Sequence, residues 1–302
     1  MGNFFSRHPH VSGMLFASIF GLTFMFTKVL LEDVSPMGII AYRFTLAIVT
    51  MELLRRFGVI SIKIKNKPIR LLLIIALFQP IFYFLFETIG IQFVSSSEAG
   101  MMIALIPIVV AVLSPFFGNE RPTLFQVAFI SLSVSGVLFI NLMKSSIGED
   151  VSLLGITLIF LAVVSAALFN MFSRRAREVF QPADITYVMM ATGATVFNGI
   201  YLVQLTLEGN LMGYVSILSP SSIFPLLYLG IMASVGGFFL VNTSLSKLPA
   251  HVSSVYANIA TIVAVIAGAV VLSEAILWFH WVGAGMIVTG VYGTNRFRRR
   301  SA

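Results

Sequence analysis

Ten times along the chain, a window of about 19 residues is filled almost wholly by apolar side chains. The runs lie at 11–31, 35–57, 69–91, 96–117, 123–143, 153–173, 184–207, 222–245, 249–272 and 276–295. Roughly 20 residues of α-helix cross about 30 Å of hydrocarbon, so each run is long enough to span a bilayer. The runs are continuous and do not alternate with period two, which predicts helices rather than barrel strands. Breakers fall between them. Ser35-Pro36 opens the second helix, Ser61 to Pro68 parts the second from the third, and Asn119-Glu120-Arg121-Pro122 parts the fourth from the fifth. Ser145 to Asp150 follows the fifth, Pro182 opens the seventh, Glu208 to Ser222 is the longest loop, and Leu248-Pro249 opens the ninth. Arg7 precedes the first run, but that run is too long for a signal-peptide core and meets no small-residue cleavage site before Lys28. It reads as a retained helix.

Composition agrees with this pattern. The 302 residues are 58% hydrophobic and 10% charged, with mean hydropathy +0.98. Soluble domains carry about 25% charged residues, so a water-exposed shell is excluded. Cysteine is absent, which removes disulfides, thiolate nucleophiles and Cys-based zinc sites. The 19 Lys+Arg against 12 Asp+Glu give a net charge of +7, and their placement orients the chain. Arg7, Arg55, Arg56, Lys63, Lys65, Lys67, Arg70, Arg121, Arg174, Arg175, Arg177, Lys247, Arg296, Arg298, Arg299 and Arg300 all fall on one side. Only Lys28, Arg43 and Lys144 do not. The positive-inside rule then predicts a multi-pass protein of the cell membrane with both termini cytoplasmic. The cluster from Arg296 to Arg300 reads as a topology anchor rather than a nucleic-acid patch.

The chain also repeats itself. A shift of 154 residues lays Glu120 on Glu274 and runs without a gap from Phe84 to Asn141. In that register Phe84 meets Phe238, Ile108-Val109 meets Ile262-Val263, Phe125 meets Phe279, Gly136-Val137 meets Gly290-Val291 and Asn141 meets Asn295. Near the starts of the halves, Lys28 and Pro36 lie over Arg174 and Pro182. The halves, 1–148 and 149–302, form one transmembrane domain of two five-helix repeats. Five is odd, so the second repeat crosses the membrane in the opposite sense. Inverted repeats are a device of secondary transporters, in which exchanging the conformations of the halves turns an inward-open state into an outward-open one.

Several motifs keep a specific order along the chain. The first half has Ser35-Pro36, Arg43-Phe44, Ile89-Gly90-Ile91, Ser95-Ser96-Ser97, Pro107 and Gly118-Asn119-Glu120-Arg121. The second has Gly155, Ser173-Arg174-Arg175, Leu245, Ser253-Ser254 and Leu272-Ser273-Glu274. Over nearly its whole length the chain resembles the drug/metabolite transporter superfamily, specifically its EamA-type exporters. The resemblance implies a central cavity lined by helices 1, 3, 4, 6, 8 and 9, and export of small metabolites such as amino acids. Phe20-Gly21 departs from the Trp-Gly of many relatives, and Thr261 stands at the place of a frequent proline. Both departures bear on substrate contacts more than on the fold.

Intramembrane polar residues are the candidates for substrate binding. Arg43 lies about eight residues into helix 2, where a charge costs at least ~2.5 kcal/mol on insertion scales, so it faces a cavity or a partner. The repeat mates of Arg43 and Glu87 are Met189 and Val241, so the fold itself demands neither charge. Their similar depth predicts an Arg43–Glu87 pair, either as part of the transport path or as a bridge between helices 2 and 3. Tyr83 shares a helix face with Glu87, and Pro80 predicts a bend one turn earlier. Thr23, Thr27, Asn170, Asn242, Tyr256, Asn258 and Thr261 either line the cavity or bond across helices.

Other conspicuous residues have simpler readings. Ser95 and Glu98 have capping-box spacing, and Glu120 and Glu274 suit the positive ends of helices 5 and 10. Trp278, His280 and Trp281 read as interfacial, and neither His280 nor His251 has a second ligand at metal spacing. Small residues of helix 9, Ser253, Ala257, Ala260, Ala264 and Gly268, predict close packing. No Walker A, GxGxxG, HExxH or Gly-x-Ser-x-Gly motif is present, so no cofactor and no catalytic constellation are expected. The predicted partners are a small-molecule substrate, membrane lipid, and protons or a counter-solute; nucleic acid is not among them. A homodimer through helix 5 or helix 10 stays open as an alternative, without support in the pattern. Two alternatives stand beside transport. A lipid-modifying intramembrane enzyme requires an acid/base or metal cluster near one interface, and a passive channel requires no alternation between faces.

Overall fold

The computed structural model describes residues 8–65, 67–117, 123–147, 151–216, 218–247 and 250–296. Regular structure among them is entirely helical. Ten long helices follow in chain order: α1 (Pro9–Leu30), α2 (Pro36–Arg56), α3 (Ile69–Ile91), α4 (Ser96–Phe116), α5 (Leu124–Ser146), α6 (Leu153–Ala176), α7 (Pro182–Leu207), α8 (Pro220–Ser244), α9 (Ala250–Val271) and α10 (Trp278–Arg296). The first eight are long and apolar enough to cross a membrane, and α9 contains the apolar stretch Ile259–Val271. Each half contributes five.

Local chemistry sets the helix starts. Ser35 accepts from the Gly38 amide at 3.2 Å ahead of Pro36, and Ser152 accepts from Gly155 at 3.1 Å. At α4 the capping box is complete: Glu98 N–H donates to Ser95 Oγ, and Ser95 N–H donates to Glu98 Oε2 at 2.9 Å. A second box joins Thr123 and Gln126 at α5. A third, between Ser219 and Ser222, starts α8 at Pro220 and so lengthens the predicted segment. These caps satisfy amides that an apolar surrounding would leave costly.

Two loops are fixed across the halves. On the face carrying the basic clusters, the buried Asp184 of α7 accepts from the backbone of Lys63 at 2.7 Å and of Gln181 at 3.1 Å, and pairs with Lys67. On the opposite face, the longest loop contains a helical turn, Gly213–Ser216. Its Tyr214 hydroxyl donates to Asn198 Oδ1 at 2.7 Å, and its Tyr214 carbonyl accepts from the Tyr42 hydroxyl at 2.6 Å.

The duplication is visible in the packing of α5 against α10. A Cβ on Gly136 would stand 2.8 Å from the Gly283 carbonyl oxygen, and one on Gly290 2.5 Å from that of Phe129. The 154-residue shift exchanges these two contacts. Helix distortions repeat as well. Leu77–Phe82 of α3 is a wide π turn, and the stretch it overlays lies inside the wide turn Tyr228–Gly237 of α8. Only α3 is broken, because Pro80 lacks an N–H and Gln79 becomes extended at φ −148, ψ 110. In α4 the amides of Ala104 and Leu105 reach back only three residues, just before Pro107, and the Gly100 carbonyl accepts from Thr261 Oγ1 of α9 at 2.8 Å.

Candidate central cavity

A cavity of about 100 Å³ lies among α1, α2, α3, α4, α6, α8 and α9. This is the helix set implied by the resemblance, with α2 added through Arg43. Its walls are mainly aromatic. Phe16, Phe20 and Phe24 come from α1, Phe84 from α3, Phe169 from α6 and Phe238 from α8. The rings interlock: Phe238 lies 5.2 Å from Phe20 and 6.1 Å from both Phe84 and Phe169, centroid to centroid. Phe84 and Phe238 are repeat mates, so the pseudo-symmetry brings them together at the centre.

Polar groups enter this apolar room at a few places. Arg43 is 2% exposed, and its Nε donates to Ser234 Oγ at 2.8 Å. Ser234 in turn donates to the Leu229 carbonyl at 2.8 Å, within the wide turn of α8. The guanidinium lies over the Phe84 ring, 4.2 Å from Cζ to the centroid. One edge of the fork is therefore tied and one face covered, and the remaining donors have no hydrogen-bond partner among the described residues.

Glu87 is 1% exposed and also lines the cavity, where its only side-chain bond among the described residues is from Thr88 Oγ1 at 3.3 Å. The Arg43–Glu87 ion pair expected from the sequence is not formed: no carboxylate lies within the 4.0 Å of an ion pair with Arg43 among the described residues. Depth alone does not bring charges into contact. Ser234 and Phe84 hold the guanidinium elsewhere, and the two charges act on each other across the cavity. Tyr83, Asn170, Gln79 and Thr23 complete the polar lining. The Thr23 hydroxyl is spent on the Phe20 carbonyl at 2.6 Å, whereas the side chains of Tyr83, Asn170 and Gln79 make no hydrogen bond among the described residues.

Comparison with known proteins settles what this architecture belongs to. The EamA-like transporter family matches the chain twice, at residues 10–142 and 153–296. The chain belongs to the EamA-like transporter family. It is 37% identical to the uncharacterized transporter YcxC of Bacillus subtilis (strain 168) over 287 residues, 95% of this chain and 92% of that one. A probable amino-acid metabolite efflux pump of Escherichia coli (strain K12) is 26% identical over 293 residues, 95% of this chain and 94% of the relative. A protein solved by crystallography superposes with TM-score 0.67 over 95% of this chain and 96% of its own, at 16% identity, a likeness of fold alone. The protein is thus a multi-pass membrane transporter and not an enzyme.

Within this EamA-like chain the other predicted polar residues serve different ends. Asn242 lies outside the cavity, accepting from Ser173 Oγ and donating to Thr186 Oγ1, both at 3.0 Å, and so joins α6, α7 and α8. Thr261 bonds to α4 as described, and Tyr256 shares a hydrogen bond of 2.6 Å with His10 Nδ1. Thr27 is fully buried, and its hydroxyl has no partner among the described residues. The side chains of Asn258 and His251, and all of Glu120, lie outside the described residues. Gln79 is the lining residue the sequence reading missed. Its signal was its position directly before Pro80, at the one place where α3 breaks.

Two simpler readings change. Glu274 binds the start of α4, not α10: Ser96 N–H donates to its Oε1 at 2.7 Å and Ser97 N–H to its Oε2 at 3.0 Å. His280 is buried, and its Nδ1 accepts from the Leu277 amide at 3.0 Å, so it caps α10 rather than marking the interface. Trp278 and Trp281 are exposed, as an interfacial role requires.

Proposed function

We propose that this transporter exports an amino acid or a closely related zwitterion by alternating access, with both termini in the cytoplasm. One observation carries the reading: an aromatic cavity in which a guanidinium fork and a carboxylate are both presented and are not joined to each other. Opposite charges left apart in a low-dielectric space are costly unless a ligand completes them. A zwitterion does so, its carboxylate on Arg43 and its ammonium on Glu87, and the filled site is electrically neutral. Tyr83, Gln79, Asn170 and Thr23 surround the polar part, and the phenylalanines receive an apolar side chain. Asn242, Tyr256 and Thr261 hold helices together around the path, and the halves 1–148 and 149–302 move against each other. The naming of the Escherichia coli relative as a probable amino-acid metabolite efflux pump supports the same substrate class.

Inside-out vesicles from overexpressing cells test the substrate. Radiolabelled amino acids with bulky apolar side chains are expected to accumulate with saturation, while the matching amine and the matching carboxylic acid, each carrying one charge, do not. Uptake of all three at equal rates, or uptake without saturation, overturns the reading in favour of a pore. The orientation has its own test. A reporter fused after Arg56 is expected to read cytoplasmic and one after Lys144 external, and a cytoplasmic signal after Lys144 removes the proposed topology.

A further inference from the structure

The turn between α3 and α4 is gripped from two directions. From α1, Lys28 Nζ donates to the carbonyls of Ile91 and Val94, each at 2.8 Å, and so closes the C-terminal end of α3. From the turn before α10, Glu274 takes the amides of Ser96 and Ser97 and also accepts from Ser97 Oγ. A carboxylate on two helix N-terminal amides is a strong, charge-assisted arrangement. Here it joins the second half of the protein to the first, on the face opposite the basic clusters. Lys144 and Glu98, paired at 2.9 Å, lie in the same region.

The closed arrangement also carries costs that a purely structural cap would not need. Ser273, the residue before Glu274, has φ 54 and is the only non-glycine residue in the left-handed region among the described residues. Ser96 Oγ is fully buried beside this grip with no hydrogen-bond partner among the described residues, and Thr27 Oγ1, next to Lys28 in the chain, is in the same condition. Water would satisfy both hydroxyls on opening. Gly268 leaves just enough room, since a Cβ there would collide with Glu274 Oε2 and Ser97 Oγ. Strong bonds set against local costs make an element with two accessible states.

We propose that Glu274 is a latch that holds the α3–α4 turn shut on the face opposite the basic clusters, and that it opens when the cavity is exposed to that face. On the orientation proposed above, this is the external face, and substrate leaves by this opening. The latch gives the alternating-access reading a definite moving part, but its test needs no substrate, so it succeeds or fails apart from that reading.

The chain has no cysteine, so a single thiol is a clean reporter. Ser96→Cys is a close replacement for a side chain that makes no hydrogen bond, and it leaves the backbone amide on Glu274 intact. In whole cells, a membrane-impermeant maleimide is expected to label Ser96→Cys slowly from outside. Adding Glu274→Gln is expected to raise that rate about 10- to 100-fold, the equivalent of one lost charge-assisted hydrogen bond. Gly268→Ala, which crowds the same carboxylate without removing its charge, is expected to raise it too. Both variants are checked for normal thermal unfolding in detergent. An unchanged labelling rate in folded Glu274→Gln protein overturns the latch, because packing alone would then hold the turn. Fast labelling of Ser96→Cys by itself also overturns it, and so does labelling from the cytoplasmic face only in a protein whose Lys144 fusion reads external.

Discussion

Replacing Arg43 by alanine is expected to lower kcat/KM for efflux by at least ~100-fold while leaving the protein folded. The size follows from the fork. Two charge-assisted bonds to a carboxylate contribute about 1.5–3 kcal/mol each, and about 1.4 kcal/mol is a factor of ten. That the fold survives follows from the neighbours. Ser234 Oγ keeps its bond to the Leu229 carbonyl when the guanidinium is gone, so no hydrogen bond of the surrounding protein is left without a partner, and the space opens into an existing cavity. Arg43→Lys keeps the charge but loses both the Nε bond to Ser234 and the planar fork, so it is expected to restore only a minor part of the activity. Vesicle transport read beside thermal unfolding in detergent decides the matter. Parallel loss of stability and activity in Arg43→Ala, with both regained in Arg43→Lys, would make Arg43 a structural charge and withdraw it from the substrate.

The uneven outcome of reading the sequence has physical causes. Ten helices were legible because hydrocarbon imposes a length and a composition on every crossing helix. The duplication was legible because its register survives through α3 to α5, and the exchange of Gly136 and Gly290 contacts shows the symmetry directly. The cap at Glu98 was legible because both its bonds are local. What failed was anything that depends on which helix a side chain turns to. Glu274 reaches α4, far away in sequence, although its own helix starts four residues later. Asn242 and Asn170 are both late-helix amides, yet one joins three helices and the other faces the cavity. The missing Arg43–Glu87 pair has the same origin. Both charges line one cavity, but Ser234 of α8 and Phe84 of α3 decide where the guanidinium rests.

Glu87→Gln is expected to change which molecules are carried more than how well the protein folds. The substitution preserves shape, and a Gln carbonyl can still accept the bond from Thr88 Oγ1. In the native protein a substrate carboxylate without an ammonium group would leave Glu87 buried and uncompensated, so a 2-hydroxy acid should be rejected in favour of the amino acid of the same shape. Glutamine removes that penalty and also removes the attraction for ammonium. The ratio of kcat/KM for the amino acid over its 2-hydroxy analogue is therefore expected to fall by about 100-fold, the equivalent of a charged hydrogen bond of ~2.7 kcal/mol. Coupling between the two charges follows the same logic. Because Arg43 and Glu87 do not touch in the empty site, the effects of Arg43→Ala and Glu87→Gln on unfolding temperature should nearly add. Their effects on transport should be less than additive, because one zwitterion must engage both ends and losing either already defeats its binding. An unchanged substrate ratio in Glu87→Gln removes the ammonium subsite. Additive losses in transport, with strong coupling in stability, would instead restore the two charges to a structural bridge.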